Sequence, residues 1–162
     1  MPIVTTEVDY FRAQLYPPRE HQPLAKTKLL VPLQDIAEVV TIQRQDICPI
    51  PGVAPGILGV ANQRGQLIWI MDLCEIRGDE ATSKRLNPQE KLTIMLLQQA
   101  QGQVGCVVAQ LQGIVSLDLQ QGQKIEAQWQ TFYPFCDRQL SEGEDWAFLL
   151  DIMQLFEYLQ MG

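Results

Sequence analysis

The residues of this chain best suited to nucleophilic or metal chemistry are one histidine and four cysteines. His21 lies in the proline-containing segment 17–23, which is typical of a loop, whereas a catalytic base must be held in place by a folded scaffold. Successive cysteines are separated by 26, 32 and 30 residues, and no pair has the spacing of zinc ligands. The four are Cys48, Cys74, Cys106 and Cys136. This inventory predicts a protein that is not an enzyme, has no metal or other cofactor, and buries its cysteines as free thiols.

An acidic cluster surrounds Gly143 and consists of Glu142, Glu144 and Asp145. Carboxylates in such a cluster can bind a cation weakly, but a solvated turn is the interpretation that the sequence favours.

The charge balance is acidic, with 12 basic and 19 acidic side chains and a net charge of −7. Proteins that bind nucleic acid or anionic lipid need clustered lysine and arginine, so the composition argues against both. No apolar run approaches the roughly 18 residues of a membrane-spanning helix. The first residues, Met1–Glu7, also lack the pattern of a secretory signal, so we expect a cytoplasmic protein.

Apolar residues that alternate with a period of two dominate the chain and predict a mainly β protein. Segment 29–33 is a short apolar run, and segment 36–42 is rich in β-branched residues. Segments 57–62 and 67–71 flank a short polar turn. They predict a β-hairpin in which Gly65 supplies a positive φ.

The second half of the chain follows a polar loop, residues 77–91, and again predicts strands. These strands are expected at 92–97, 104–109 and 114–117. The final apolar segment, 146–159, begins with the period of a strand and ends with that of a helix. Asp151 is a good helix N-cap, so we expect the strand to give way to the helix there.

The two halves also resemble each other. Residues 36–42 align with 111–117 at an offset of 75, and residues 69–76 align with 148–155 at an offset of 79. The order of the matched segments agrees, and an aspartate falls at the same place in each half. The simplest architecture is a pair of small β-barrels of about five strands each, because closure hides exposed sheet edges.

Three segments resemble the sequence pattern of the CheW-like coupling proteins of bacterial chemosensory systems. Val31–Val40 is similar to the family's Ile-Pro-Leu segment followed by Glu-Val. Gly59–Leu73 is similar to the family's Asn-x-Arg-Gly stretch that ends in Asp-Leu, which is the most specific part of the match. Phe148–Leu155 is similar to the family's closing Leu-Leu-Asp segment. The resemblance covers about residues 28–156.

The resemblance implies that residues 1–162 form a single CheW-like domain of two SH3-like five-stranded β-barrel subdomains with short helices, including one at the C-terminus. The subdomains would lie at about 28–76 and 92–156, joined by the polar loop and preceded by an N-terminal extension, 1–27. The chain departs from the family pattern at Trp69, where the family usually has proline.

The resemblance further implies a non-enzymatic adaptor that couples a chemoreceptor-type sensor to a CheA-type histidine kinase, in chemotaxis, phototaxis or pilus-based motility. The expected partners are the regulatory domain of the kinase and the cytoplasmic tip of a methyl-accepting chemoreceptor. Neither nucleic acid binding nor direct membrane insertion is expected. Two alternatives stay open: a regulatory module for a non-chemotactic kinase or a pilus system, and a small-molecule-binding barrel.

Six residues are candidates for the receptor or kinase interface. They are Arg64, Ile36, Glu38, Asn62, Gly59 and Gly65. Arg64 leads, because a hairpin turn presents its guanidinium to the carboxylates and amides of a partner. Ile36 and Glu38 lie two residues apart in a strand and are expected to share a face, with Ile36 either exposed beside Glu38 or packed in the core.

The remaining candidates also have structural interpretations. Asn62 is expected to bond its own turn, and Gly59 to mark a bulge or a close approach of two chain segments. Asp72 and Asp151 are expected to cap helices, and Trp69 is expected in the core or at the seam of a barrel.

Overall fold

The structure is a computed structural model that describes residues 7–15, 28–76, 88–100, 102–130, 133–142 and 145–161. His21, residues 77–87 of the predicted polar loop, and Gly143 and Glu144 of the acidic cluster lie outside the described residues. Within these ranges the chain forms strands and three α-helices. The strands are β1 (Glu7–Gln14), β2 (Lys28–Pro32), β3 (Ile36–Gln43), β4 (Ile57–Gln63), β5 (Gln66–Met71), β6 (Lys91–Gln99), β7 (Gly102–Val108), β8 (Gln110–Asp118), β9 (Gln123–Lys124), β10 (Cys136–Glu142) and β11 (Asp145–Leu150). The helices are α1 (Leu73–Ile76), α2 (Ala127–Gln130) and α3 (Ile152–Met161).

The strands form two sheets, which we call the first and second barrel. The first barrel has five strands in the order β3-β6-β7-β5-β4, and the second has six in the order β8-β1-β2-β11-β10-β9. In each barrel one central pair is parallel, β5 with β7 and β11 with β2, and the other pairs are antiparallel. The predicted mainly β fold of two SH3-like barrels with short helices is confirmed. The second barrel gains a sixth, two-residue strand.

The internal repeat is visible in the pairing scheme. The first barrel's strands β3, β6, β7, β5 and β4 have the same neighbours and directions as β8, β1, β2, β11 and β10 of the second. The halves of the chain nevertheless exchange strands, because β6 and β7 complete the first barrel while β1 and β2 complete the second. The segments 28–76 and 92–156 therefore do not correspond to the two barrels.

Each barrel is partly closed by the segment that follows its first edge strand. After β3, Cys48 forms an isolated β-bridge with Val60 of β4. After β8, the short strand β9 pairs with β10 in the same way. In each barrel, the segment after one edge strand thus pairs with the strand at or near the opposite edge. In the first barrel the edge strands β3 and β4 do not pair with each other, so a gap remains between them.

Three apolar layers hold the fold together. The largest lies between the two sheets and includes Val104 of β7, Phe148 of β11 and Leu155 of α3. A second layer fills the first barrel, and a third fills the second barrel. Because both sheets bury residues of the central layer, the two barrels form one packed unit.

The middle of the second half contains strands and a helix that no apolar period in the sequence indicates. Residues 123–145 contain β9, α2 and all of β10, whose apolar residues are too few to show a period. Glu142 of the acidic cluster forms ion pairs with Arg12 of β1 and, at 3.6 Å, with Lys28 of β2. The N-terminal extension contributes strand β1 to the second barrel.

The cysteines are free thiols, and three of them are buried as expected. Cys48 is exposed, which corrects that expectation, because it lies on the closing bridge at the surface of the first barrel. Burial raises the pKa of the Cys106 and Cys136 thiols, so both remain protonated at neutral pH.

Candidate functional site

The β4–β5 hairpin presents the strongest candidate residue. Gln63 pairs with Gln66, which leaves Arg64 and Gly65 as a two-residue turn with φ of +53° and +84°. Two positive φ values match a type I′ turn, whose twist fits the two flanking strands. The side-chain oxygen of Asn62 accepts a hydrogen bond from the Gly65 N–H at 2.9 Å. The structural interpretations given for Asn62 and Gly65 are therefore confirmed.

Arg64 is joined to Glu38 of β3. Its Nη2 donates to Glu38 Oε1 at 2.9 Å, while 76% of the arginine side chain stays exposed against 31% for the glutamate. Glu38 thus holds one nitrogen of the guanidinium, and the other N–H donors of the group are available to another molecule. The pair is too exposed to contribute more than about 1 kcal/mol to the free energy of unfolding.

This ion pair connects the two edge strands of the first barrel across the gap between them. The same strands, with the residues that follow β3, also line an open cleft of about 450 Å³, with Thr41 and Asp46 from one segment and Asn62 and Gln63 from the other. Lys91 also lines the cleft. The cleft is polar and open to solvent.

Gly59 holds the hairpin to the closing segment. It has a φ of +144° and lies at a bulge between β4 and β5. A Cβ added there would lie 2.0 Å from the carbonyl oxygen of Cys48. Only glycine allows this approach, so Gly59 has a positioning role within the fold and the expected close approach is confirmed.

A bulge at Ala37 separates Ile36 from Glu38. Ile36 pairs with Leu97, and Glu38 pairs with Leu96, the next residue of β6. Residues directly opposite in an antiparallel pair share a face, and consecutive residues face opposite sides. Ile36 therefore lies with Leu97 on the central layer and Glu38 on the other face, so the expectation that they share a face is wrong. Ile36 is half-buried against the central core, and the exposed residue is Ala37.

Ile36 belongs to a row of side chains that crosses the central-layer face of the first barrel. The row runs from Ile36 through Leu97, Val104 and Trp69 to Val60. Its middle is fully buried, but Trp69 is 36% exposed and Leu67, two residues earlier on the same face, is 72% exposed. The apolar face that forms the layer between the barrels therefore continues into solvent at β5. Of the two places expected for Trp69, the core and the seam of a barrel, the core is wrong, because the side chain is exposed at the edge of this layer.

A polar contact supports the turn that leads into β3. Gln99 of β6 donates from Nε2 to Asp35 Oδ1 at 3.0 Å. Burial raises the pKa of the Asp35 carboxyl, and the Gln99 hydrogen bond offsets part of this effect. Asp35 thus lies at the start of the segment that carries Ile36 and Glu38.

Both predicted helix caps are present. Asp72 Oδ1 accepts from the Cys74 N–H at 2.9 Å, and Asp151 Oδ1 accepts from the Gln154 N–H at 3.3 Å. Each aspartate therefore ends a strand and starts a helix, and neither contributes to the exposed surface around Arg64.

The sequence of the chain also matches a known protein family. A family model described as the CheW-like domain matches residues 23–160. The chain belongs to the CheW-like domain family. None of the curated proteins compared with the chain matches it significantly.

The fold of this CheW-like domain is similar to a solved structure described as the scaffolding protein TtCheW from Thermoanaerobacter tengcongensis. The TM-score is 0.65 with 17% sequence identity, and the match covers 88% of this chain and 87% of that one. No helix among the described residues is long and apolar enough to cross a membrane. In the same part of the chain no three His, Cys, Asp or Glu side chains come together as metal ligands.

The structure brings four of the six candidates together in this CheW-like domain. Asn62, Arg64 and Gly65 belong to one turn, and Glu38 contacts Arg64 across the gap. Gly59 lies at the bulge of β4, and Ile36 packs against the central core, so neither is part of this cluster. Sequence reasoning missed the exposure of Leu67 and Trp69. Every residue from 67 to 71 is apolar, so alternation does not distinguish the solvent side of β5 from the core side.

Proposed function

We propose that this CheW-like domain is a cytoplasmic adaptor that couples a chemoreceptor to a CheA-type histidine kinase. Its partners are the cytoplasmic tip of the receptor and the regulatory domain of the kinase. The membership in the CheW-like family supports this proposal, together with the scaffolding protein of the same fold. The adaptor holds receptor and kinase in a defined relation, so that a shift in one changes the population of active states in the other.

The observation that carries the proposal is the exposed and oriented guanidinium of Arg64. It projects from a rigid type I′ turn, is largely exposed, and has one nitrogen oriented by Glu38. A planar guanidinium prepared in this way suits carboxylate or carbonyl groups of a partner. Arginine is also enriched among interface residues whose truncation costs about 2 kcal/mol or more. Arg64 and Glu38, with the turn residues Asn62 and Gly65, are therefore the proposed contact site.

The test is a calorimetric titration against the kinase regulatory domain and, separately, against a receptor-tip fragment from the same genome. Wild type is compared with Arg64→Ala and with Lys124→Ala, which removes the same charge from the exposed strand β9 of the other barrel. We expect saturable binding of wild type and Lys124→Ala, and at least tenfold weaker binding of Arg64→Ala to one partner. Thermal unfolding shows that all three proteins are folded. If wild type binds neither partner, the coupling function is wrong.

The Ile36→Ala variant answers a different question, because Ile36 packs against the central core. We expect this variant to lose stability whether or not the surface is an interface. Ala37→Arg is the better probe of the β3 edge, since Ala37 is exposed at the bulge and its side chain can be enlarged without filling the core. Weaker binding of Ala37→Arg at unchanged unfolding temperature would place the β3 edge in the interface.

A further inference from the structure

The internal repeat places Trp69 and Phe148 at equivalent positions. Trp69 lies on β5 between Val60 of β4 and Val104 of β7. Phe148 lies on β11 between Gln139 of β10 and Leu29 of β2, with the same strand directions. Both aromatic rings extend from the central-layer face of their sheet. Equivalent rings in equivalent sheets are expected to have similar cover, and they do not.

Phe148 is fully buried, because the chain itself supplies two rings against it. Tyr133 stacks on Phe148 with centroids 4.0 Å apart and planes at 14°, and Trp129 lies at 5.5 Å with planes at 53°. Trp129 and Tyr133 are four residues apart, and the Tyr133 N–H donates to the Trp129 carbonyl at 3.0 Å. Phe148 is therefore covered by two aromatic side chains, those of Trp129 and Tyr133, which a backbone hydrogen bond joins.

Among the described residues, no ring covers Trp69 in the same way. The connection equivalent to the one that carries Trp129 and Tyr133 is residues 49–56, which contain three fewer residues than 125–135 and no helix. Within the described residues, no aromatic ring contacts Trp69, which is 36% exposed beside Leu67 at 72%. Trp69 and Leu67 are two residues apart on one strand and therefore share an exposed apolar surface.

We propose that Trp69 and Leu67 form a docking platform for an aromatic side chain carried by a helix of a partner protein. The occupant follows from the repeat: the partner helix supplies at Trp69 the ring that the chain supplies to Phe148. Stacked or tilted aromatic pairs add attraction beyond the apolar area that they bury. The strand that carries the platform begins directly after the turn that carries Arg64.

The inference rests on the proposed function only for its first probe, the receptor-tip fragment, which is helical. Binding is measured for wild type, Trp69→Ala, Trp69→Phe and Met153→Ala, the last removing an exposed apolar side chain from α3. We expect Trp69→Ala to weaken binding at least tenfold, Trp69→Phe to stay within about threefold of wild type, and Met153→Ala to have no effect. Each aromatic residue of the tip is then replaced by leucine. One replacement should weaken wild type but leave Trp69→Ala unchanged. Equal losses for Trp69→Ala and Trp69→Phe would overturn the stacking, and unchanged binding of Trp69→Ala would overturn the platform.

A second measurement does not depend on the receptor. A photo-crosslinking phenylalanine derivative is placed at position 69 in cells of the source organism, and the crosslinked residue is identified by mass spectrometry. A crosslink to a helix of another protein, at or next to an aromatic residue, supports the platform even if the receptor-tip fragment does not bind. In that case the coupling function fails alone. A crosslink only within this chain or to a second copy, or none at all, would overturn the platform.

Discussion

Gly56 and Phe135 occupy the same position in the two barrels and receive the same hydrogen bond. The Asp72 N–H donates to the Gly56 carbonyl at 2.7 Å, and the Asp151 N–H donates to the Phe135 carbonyl at 2.6 Å. Both acceptor residues have a left-handed backbone conformation, with φ of +90° at Gly56 and +65° at Phe135. The repeat thus extends to single backbone contacts, and it persists even where one copy uses phenylalanine in a conformation that glycine adopts without strain.

The two capping aspartates differ in burial, which predicts different costs of removal. Asp72 is 1% exposed, whereas Asp151 is only partly buried. We expect Asp72→Ala to lower the free energy of unfolding by about 2 kcal/mol, because a buried N–H loses its acceptor. Asp151→Ala should cost about 1 kcal/mol or less, since water can replace the carboxylate. Denaturant unfolding measures both. Asp72→Asn, which keeps an acceptor oxygen, should recover most of the loss; equal losses for both alanine variants would contradict this account.

Alanine substitutions at two glycines with positive φ distinguish the cost of backbone strain from the cost of crowding around an added Cβ. Gly65 has open space around the position of a Cβ, while a Cβ at Gly59 would overlap the Cys48 carbonyl. We expect Gly65→Ala to cost about 1 kcal/mol from strain alone. Gly59→Ala should cost clearly more, because the closing segment must move away from β4. Chemical denaturation of both variants decides this, and a similar small cost for each would show that the segment near Cys48 moves without penalty.

Exchange of the Arg64 and Glu38 charges separates their internal contact from their external one. Arg64→Glu alone brings two carboxylates together and should lower the free energy of unfolding by at most about 1 kcal/mol. The double variant Arg64→Glu with Glu38→Arg should regain that stability, because the ion pair is re-formed in reverse. Binding to the kinase domain or receptor tip should stay weak in both, since the exposed charge at the turn is now negative. Recovery of binding in the double variant would mean that the pair acts only within the fold.

The stability of the protein should depend on pH through Asp35. Its pKa is raised mainly by burial, so the folded protein binds a proton at Asp35 more tightly than the unfolded chain does. Stability from this residue is therefore present below the unfolded pKa and is lost as pH rises through the folded pKa. We expect Asp35→Asn to be more stable than wild type at neutral pH, with the gain disappearing as pH falls below about 4. Unfolding at several pH values tests this, with the exposed Asp46→Asn as control. A gain independent of pH would show another cause.

Local signals in the sequence predicted the hairpin at Gly65, the turn bond of Asn62 and the break at Asp151. Each depends on residues within a few positions of one another. The bulge at Ala37 was not predictable in this way, because it arises where β3 meets β6, and this single insertion changes the face on which Ile36 lies. The exposure of Trp69 was missed for a similar reason: it depends on how far the covering connection of each barrel reaches.

The exchange of strands was also beyond local reasoning. The repeat in the sequence suggests two consecutive barrels, but pairing between distant strands decides which half completes which sheet. The parallel contacts of β5 with β7 and of β2 with β11 join residues far apart in the chain, and no short motif specifies such partners.

The exchange of strands also determines the order in which the barrels can form as the chain leaves the ribosome. The first barrel has all its strands once residue 108 has emerged, although its own half ended earlier. Strands β1 and β2 are made first, but their partners β8 and β11 are made only after the first barrel is complete. A nascent chain stalled after β7 should therefore contain one folded barrel and an N-terminal hairpin with unpaired edges, the stage at which the protein most needs a chaperone.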